Sequence, residues 1–222
     1  MTTFTLRFTV ASDTLFGRGD GVAGLVDDEV QHDRYGCAYL GGKALKGMLV
    51  NECADILNAL PESKRTRWQQ VAVQLFGEPG GFYDRTAQMQ VGDAQLPEQV
   101  RVAIMQAIDS KQMQRNDVLD SLTALRQQTA MDPILGIPKE SSLRTRRVIV
   151  RSTPFVAALW LQDEADSADL RRLLAACVKA LRRVGTSRNR GYGRLSDVAL
   201  SDEQGNLLSE HAFSEFCQEV LA

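Results

Sequence analysis

The sequence predicts an α+β fold with its elements in the order β-α-β-β-α-β, and three observations predict it. Phe4–Val10 and Tyr192–Leu200 alternate apolar and polar residues, the period-2 pattern of a half-buried strand. Lys43–Leu60 and Asp166–Val184 carry apolar residues at helical spacing. Leu143–Leu161 reads as two strands broken at Ser152-Thr153-Pro154, because proline cannot donate to a ladder.

Taken in order, the first strand leads into residues 11–42, a stretch rich in glycine and aspartate without a period. It reads as a long, mobile loop, and loops of that length in a compact domain are usually functional. The first helix places Leu45, Met48, Leu49, Cys53, Ala54, Ile56 and Leu57 along one stripe and stops at Pro61. Ser63 is placed to cap a second helix over 64–76 that ends at Gly77. Ala87–Leu96 reads as a strand. Residues 97–128 show a helical pattern rich in Gln and Arg with weak caps, and read as an inserted helical piece of plain surface. In the next helix Leu170, Leu173, Leu174, Cys177, Val178 and Leu181 share a side, and Ser209–Leu221 forms a short terminal helix. The whole is a ferredoxin-like (RRM-like) core with elaborated loops, one domain over 1–222. Such a fold hosts many functions and names none.

Composition narrows the classes. Hydrophobic residues at 44% and charged residues at 24% give an ordinary globular chain rather than a disordered one. Its apolar runs fall far short of the ~20 residues that span a bilayer. Met1-Thr2-Thr3-Phe4 has no basic stretch or cleavage site, so no signal peptide is expected and a cytoplasmic location is. Cys37, Cys53, Cys177 and Cys217 are scattered with no CxxC pair. They read as thiols packed like small hydrophobes in a reducing compartment, not as zinc ligands. The net charge of −2 argues against a free, non-specific nucleic-acid binder. The mean hides an asymmetry: Leu143–Arg151 holds four arginines and no acid, and Arg182–Arg194 five arginines and no acid. Two such clusters in a mildly acidic chain suit either a channel that meets phosphate or two solvated faces.

Three segments carry chemistry. In Gly185-Thr186-Ser187-Arg188-Asn189-Arg190-Gly191-Tyr192-Gly193-Arg194, Gly191 and Gly193 permit positive φ or close backbone approach. Successive N–H groups can cradle phosphate there, with Arg188, Arg190 and Arg194 supplying charge and Tyr192 a face for a base. A bare turn is the alternative. In Tyr39-Leu40-Gly41-Gly42-Lys43-Ala44-Leu45-Lys46-Gly47-Met48, a helix start attracts anions, and Lys43 and Lys46 share a face. Two ordinary surface lysines are the alternative. In Gly24–Asp33, five ionisable side chains (Asp27, Asp28, Glu29, His32, Asp33) fall within seven positions. A carboxylate there could bind a divalent ion or act as a base on a ribose hydroxyl, and an exposed acidic loop fits equally. On a strand, Arg144 and Arg146 share one face while Arg147 points to the other.

The order of these segments resembles the RAMP superfamily, specifically the Cas-seven-like backbone subunits of type III CRISPR effector complexes. The likeness rests on the Val26-Asp27 pair, Tyr39–Gly47 opening the first helix, Leu75-Phe76-Gly77, Val91-Gly92-Asp93-Ala94, Ser142–Val148 and Arg190–Arg194. It touches most of the chain from 3 to 200. Departures are Gly41, Gly42 and Ala44 where the family has a proline and serines; residues 97–128 have no counterpart. The resemblance implies a subunit that lies along CRISPR RNA, with a β-hairpin thumb around Pro133–Arg147 pushed between bases. It implies that Lys43, Lys46, Arg144, Arg146, Arg188, Arg190, Gly191, Gly193 and Arg194 meet the RNA. It also implies that Asp27, with a divalent metal for which Mg2+ is the expectation, cuts complementary target RNA. Partners would be CRISPR RNA, target RNA, other effector subunits and further copies of the chain. The alternatives are a scaffold without catalysis, a Cas-six-like guide-processing endoribonuclease using His32 or His211, and an unrelated ferredoxin-like interaction domain.

Overall fold

A computed structural model describes residues 1–78, 87–162 and 167–221. Its centre is a four-stranded antiparallel sheet. The strands are β1 (Thr2–Val10), β2 (Met89–Val91), β5 (Pro154–Leu161) and β6 (Leu195–Ser201), in the order β2-β5-β1-β6. Two helices complete the core, α1 (Gly42–Ala59) after β1 and α5 (Ala168–Ala180) after β5. Chain order β1-α1-β2-β5-α5-β6 with that strand order is the ferredoxin-like plan that the sequence predicts.

Register explains which face is buried. Phe4 pairs with Leu159, Leu6 with Ala157 and Phe8 with Phe155. All six are buried, so the period-2 pattern of two strands falls on one face. The helices cover that face. The stripe of α5 (Leu170, Leu173, Leu174, Cys177, Val178) is buried, as are Leu45, Leu49 and Cys53 of α1. Ser167 Oγ caps α5 by accepting from Leu170 N; Asp166, where the sequence starts this helix, lies outside the described residues. Burial pushes the Cys37 thiol up to about 11 and the Cys177 thiol well above its ordinary value, so both pack as neutral small side chains.

Helix α2 (Glu62–Phe76) begins at Pro61 without a side-chain cap, so Ser63 is inside the helix and is not its cap. Arg65 instead ties the two helices, donating to the carbonyls of Leu57, Asn58 and Leu60 at the end of α1. The last carbonyls of a helix lack an N–H four residues on; that of Leu57 is shared with Leu60 N at 3.3 Å. Gly77 ends α2 at φ +87°, a conformation that favours glycine. The strand expected over Ala87–Leu96 shortens to β2. Past it, Leu40 and Ala94 form an isolated bridge.

Residues 92–153 are carried between β2 and β5. They contain α3 (Glu98–Asp109), α4 (Arg115–Leu122), β3 (Thr123–Gln128) and β4 (Arg144–Ile149), with β3 and β4 paired as a separate antiparallel hairpin. The end of the segment read as helical is therefore a strand. Helix α4 buries Val118 and Leu119, which makes it part of the core. The chain closes with α6 (Leu208–Leu221), whose Phe216 meets Trp68 of α2 edge to face at 4.7 Å.

The long loop 11–41 is pinned rather than mobile. Leu15, Phe16, Val26, Val30, Cys37, Ala38 and Leu40 are buried, and the Phe16 ring meets Phe155 edge to face at 5.2 Å. The last strand begins at Leu195, three residues later than the pattern suggests, because Tyr192 and Gly193 still belong to the preceding turn.

Two glycines of α1 should respond oppositely to alanine. At Gly42 a Cβ would lie 2.1 Å from the Val91 carbonyl oxygen, whereas at Gly47 nothing lies within 4 Å. Gly47→Ala should raise stability by roughly 0.5–1 kcal/mol, and Gly42→Ala should lower it, as read from urea midpoints of the isolated chain.

Candidate nucleic-acid interface

Three segments meet at one end of the sheet. Thr9 pairs with Pro154, and Val10 with Leu195. Antiparallel pairing thus puts the end of β1, the start of β5 and the start of β6 side by side. The acidic loop, the β3–β4 hairpin and the glycine-rich turn all leave from there.

The acidic loop lies alongside β4. Asp28 and Arg146 form a parallel bridge. Asp27 N donates to the Thr145 carbonyl at 2.8 Å, Arg147 N donates to the Asp28 carbonyl at 3.0 Å, and Thr145 N donates to Asp27 Oδ2 at 2.7 Å. The three acids part company here. Asp27 is exposed. Asp28 Oδ2 lies 2.8 Å from Arg146 Nε. Glu29 is 2% exposed; its Oε1 accepts from Val30 N at 2.9 Å and lies 3.1 Å from Arg147 Nε. Arg147 also donates from Nη1 to Asp120 Oδ1 and Thr123 Oγ1. The alternation expected for the arginines is present, since Arg144 is exposed and Arg147 buried. Arg147 is 7% exposed and its guanidinium pairs within the chain, with buried Glu29 and exposed Asp120.

The glycine-rich turn has two kinds of glycine. Gly193 takes φ +73° and its missing Cβ would sit 1.9 Å from the Val184 carbonyl oxygen, so close packing requires glycine there. Gly191 takes φ +86° with open space around it. Arg188–Arg190 form a 3-10 turn entered through Ser187 at φ +55°. Arg190 and Arg194 are exposed. Tyr192 does not offer a face to a base: it is buried, and its hydroxyl accepts from Gln128 Nε2 at 2.5 Å. Arg146 Nη1 reaches across to Ser187 Oγ at 2.9 Å, joining the turn to the hairpin.

These pieces frame two adjoining clefts. One, of about 940 Å³, is lined by Lys139, Arg144, Arg146 and Arg190 with Glu140, and by polar residues from Gln128 to Ser142. The other, of about 530 Å³, shares Arg190 and adds Arg126 and Arg151 with Asp13. A third hollow of about 600 Å³ holds Arg182, Arg183 and Arg188 around Glu52. Burial raises the carboxyl of Glu52 above its ordinary range, Asp55 adds to the rise, and Arg188 and Arg182 oppose it. Lys139, Arg126, Arg151, Arg182 and Arg183 were not singled out from sequence. Arg151, Arg182 and Arg183 lie within the two arginine clusters, whereas Lys139 and Arg126 become visible only once the hairpin brings them round.

The start of α1 is tied to the rest of the chain through its first N–H groups. Gly42 N donates to Asp93 Oδ1 at 2.7 Å, and Gly41 N to Gln31 Oε1 at 3.3 Å. A carboxylate of the chain thus already answers the first helical N–H group, and an amide oxygen answers that of the N-cap residue before it. Lys43 is exposed and Lys46 half-buried. His32 lies between the loop and α4, with Arg115 Nη2 3.2 Å from its Nδ1.

The hairpin tip is apolar and ordered. Ile134 is 90% and Leu135 68% exposed. Asp132 Oδ1 accepts from both of their backbone N–H groups at 2.9 Å. The bonds from Leu135 and then Ile134 hold its carboxyl below the usual carboxylate range.

Among the described residues no group of three or more His, Cys, Asp or Glu side chains could hold a metal ion. A dedicated protein cage such as zinc takes is therefore not built from them. Asp27, exposed and beside the arginines, fits the other arrangement, in which one or two carboxylates share a Mg2+ with substrate phosphate and water.

A ferredoxin-like scaffold with a protruding hairpin and arginine-lined clefts at its foot is what the fold and site define. Residues 7–196 match the RAMP superfamily, and the chain belongs to it. Its fold is shared with a chain of the Type III-B Cmr-beta complex bound to cognate target RNA, at TM-score 0.62 and 12% identity over 87% of this chain and 95% of the other. It is likewise shared with a chain of the apo Type III-B Cmr-beta complex, at TM-score 0.60 and 12% identity over 91% and 97%. No curated protein matches the sequence. Among the described residues no helix is long and apolar enough to cross a membrane.

The burial of Arg147 separates it from its neighbour. Arg147→Ala strands Glu29 in the interior and should cost about 3–5 kcal/mol. Arg144→Ala should stay within about 0.5 kcal/mol, both read from denaturant unfolding of the isolated chain.

Proposed function

We propose that the chain is a CRISPR-RNA-binding backbone subunit of a type III effector complex, and that it cuts guide-bound target RNA through Asp27 with a divalent metal. The observation that carries this reading is the position of Asp27. It is exposed at the foot of the hairpin and hydrogen-bonded to Thr145, the residue between the two cleft arginines Arg144 and Arg146. Membership of the RAMP superfamily supports it, as does the likeness to a chain from a complex bound to cognate target RNA. Other effector subunits and further copies of the chain are the partners this reading requires.

RNA carries its own nucleophile, the 2′-hydroxyl. The protein has to hold the strand in line and help with proton and charge transfer. Arg144, Arg146 and Arg190 hold phosphates. Asp27 Oδ1, the oxygen that Thr145 does not use, takes the 2′-hydroxyl proton as the 2′-oxygen bonds to the adjacent phosphorus. The P–O bond to the next nucleotide's 5′-oxygen breaks, and that oxygen takes a proton from water, leaving a 2′,3′-cyclic phosphate. A hard divalent ion, when bound, neutralises charge at the scissile phosphate. Base pairing with the guide, rather than the protein, reads the target sequence.

A second reading has its own observation. The Asp27 carboxylate already holds the Thr145 N–H, which is what a purely structural residue would do. A scaffold that binds RNA without cutting it accounts for that equally. The guide-processing alternative has less support, because His32 is engaged with Arg115 at α4.

Asp27→Ala should lower target cleavage by at least the ~10²–10⁴-fold typical of acid–base help. Guide content and assembly should be unchanged, and stability should fall by about 1 kcal/mol for the lost hydrogen bond. Metal-dependent cleavage at the wild-type rate by the assembled Asp27→Ala complex would overturn the Asp27 assignment and leave the scaffold reading, or a different catalytic residue, standing.

Arg144→Ala/Arg190→Ala should weaken guide binding by similar factors for unrelated RNA sequences. The slope of log affinity against log salt should fall by about 0.7 for each lost phosphate contact. An unchanged slope would remove these residues from the interface.

A further inference from the structure

The chemistry above uses Asp27 but leaves unexplained the most deeply buried charged group beside it. Glu29 is two residues along, 2% exposed, and paired with Arg147, itself 7% exposed. A buried ion pair is a poor source of stability, because desolvating both partners offsets much of their attraction. Its better-attested use is to fix register. Here the register in question is that of the acidic loop against the hairpin. No named strand lies in residues 11–41 among the described residues, so the loop is tied to β4 by two isolated bridges, Thr14–Ile149 and Asp28–Arg146, and a few backbone hydrogen bonds rather than by a full ladder. The buried side-chain pair adds to these few bonds a contact that only one register satisfies.

We infer that Glu29 and Arg147 are positioning residues that set where Asp27 stands relative to the hairpin, and so which phosphate of the bound strand is cut. This rests on the Asp27 reading. The chain of contacts is short. Arg147 N donates to the Asp28 carbonyl, and its guanidinium holds Glu29 on one side and Asp120 of α4 on the other. Thr123 Oγ1, the first residue of β3, takes a further bond from Arg147. One guanidinium therefore joins the acidic loop, both hairpin strands and α4. A slip of the loop by one residue would break the Glu29 pair in the interior and carry Asp27 away from Thr145 N. Such a slip moves a carboxylate by about 3.3 Å along a strand, a large fraction of the distance between successive phosphates. A displacement of ~1 Å alone can cost ~10²-fold in rate.

The test uses the chain assembled with guide RNA and its partner subunits, with a complementary target labelled at one end. Glu29→Gln/Arg147→Met removes both charges together and leaves none stranded. The expected result is cleavage slower by roughly 10- to 100-fold, with guide content and target affinity unchanged and products spread over neighbouring phosphates. The spread is the diagnostic readout, since loss of folded protein lowers product amount without changing product length. Arg147→Lys, which keeps the charge but not the fork, should give an intermediate spread, and it replaces the double variant should that one fail to assemble. Wild-type product lengths at the wild-type rate in the variant that assembles would overturn the inference. Asp27→Ala run alongside separates the two claims. If it still cuts, the aspartate reading fails; if it is silent while the double variant cuts as wild type, only the positioning claim fails.

Discussion

The structure depends on the seam between residues 27–29 and 145–147. Four backbone or capping hydrogen bonds and two carboxylate–guanidinium pairs cross it, although its two sides are more than a hundred residues apart. Polar groups dominate the seam, so its worth lies in satisfaction rather than attraction. Glu29 is acceptable in the interior because Val30 N and Arg147 answer its oxygens. Arg147 is acceptable because Glu29, Asp120 and Thr123 answer its nitrogens. Removing either partner turns a neutral arrangement into a buried charge.

The seam also resolves the charge pattern. A chain with net charge −2 presents basic clefts because its acids and bases are sorted by depth and direction. On β4, Arg147 turns inward and is neutralised, Arg146 is shared with Asp28 and Ser187, and Arg144 is left to solvent. Elsewhere Arg67 and Arg172 are absorbed by Asp169, Glu215 and Glu219 where α2, α5 and α6 meet. At the foot of the hairpin Arg126 is paired with Asp13 and Arg146 with Asp28, while Arg144 and Arg190 stay exposed. A phosphate backbone would meet that local surplus rather than the mean.

Much of the fold was legible because burial writes its period into the sequence. Phe4, Leu6, Phe8 and Val10 mark one face of β1, and the α5 stripe marks one side of a helix. The hairpin strand β3 was not legible, since Thr-Ala-Leu-Arg-Gln-Gln has little β propensity and follows α4 without a turn residue. Its partner β4 holds it in place across the hairpin. At the site, Asp27 and the exposed arginines could be named from segment order. The burial of Glu29 could not, because three adjacent acids look alike until a partner 118 positions away selects one. Asp93 is a similar case. Its pairing with Ala94 was visible as a pattern, but its work, answering the Gly42 N–H at the start of α1, needed the fold. Tyr192 misled for the opposite reason: an aromatic between glycines suggests an open loop, and Gln128 closes over it.

The same topology explains why such distant segments can meet so regularly. The 92–153 segment starts and ends on neighbouring strands, since β2 pairs directly with β5. Closing a long insertion at its base is thermodynamically mild, because the entropy of closure grows only with the logarithm of length. Elements within it can therefore be elaborate without disturbing the sheet. What the insertion lacks is a fixed direction, since a two-stranded hairpin is marginal alone. Direction comes from the other long segment, 11–41, which leaves β1 at the same end and lays Thr14 against Ile149 and Asp28 against Arg146. Each insertion is thus the other's support: the loop borrows a strand to pair with, and the hairpin borrows a buried wall to stand on. A residue at the join inherits the rigidity of both. That is why the exposed carboxylate of Asp27 can hold a defined place in a segment with no regular structure of its own.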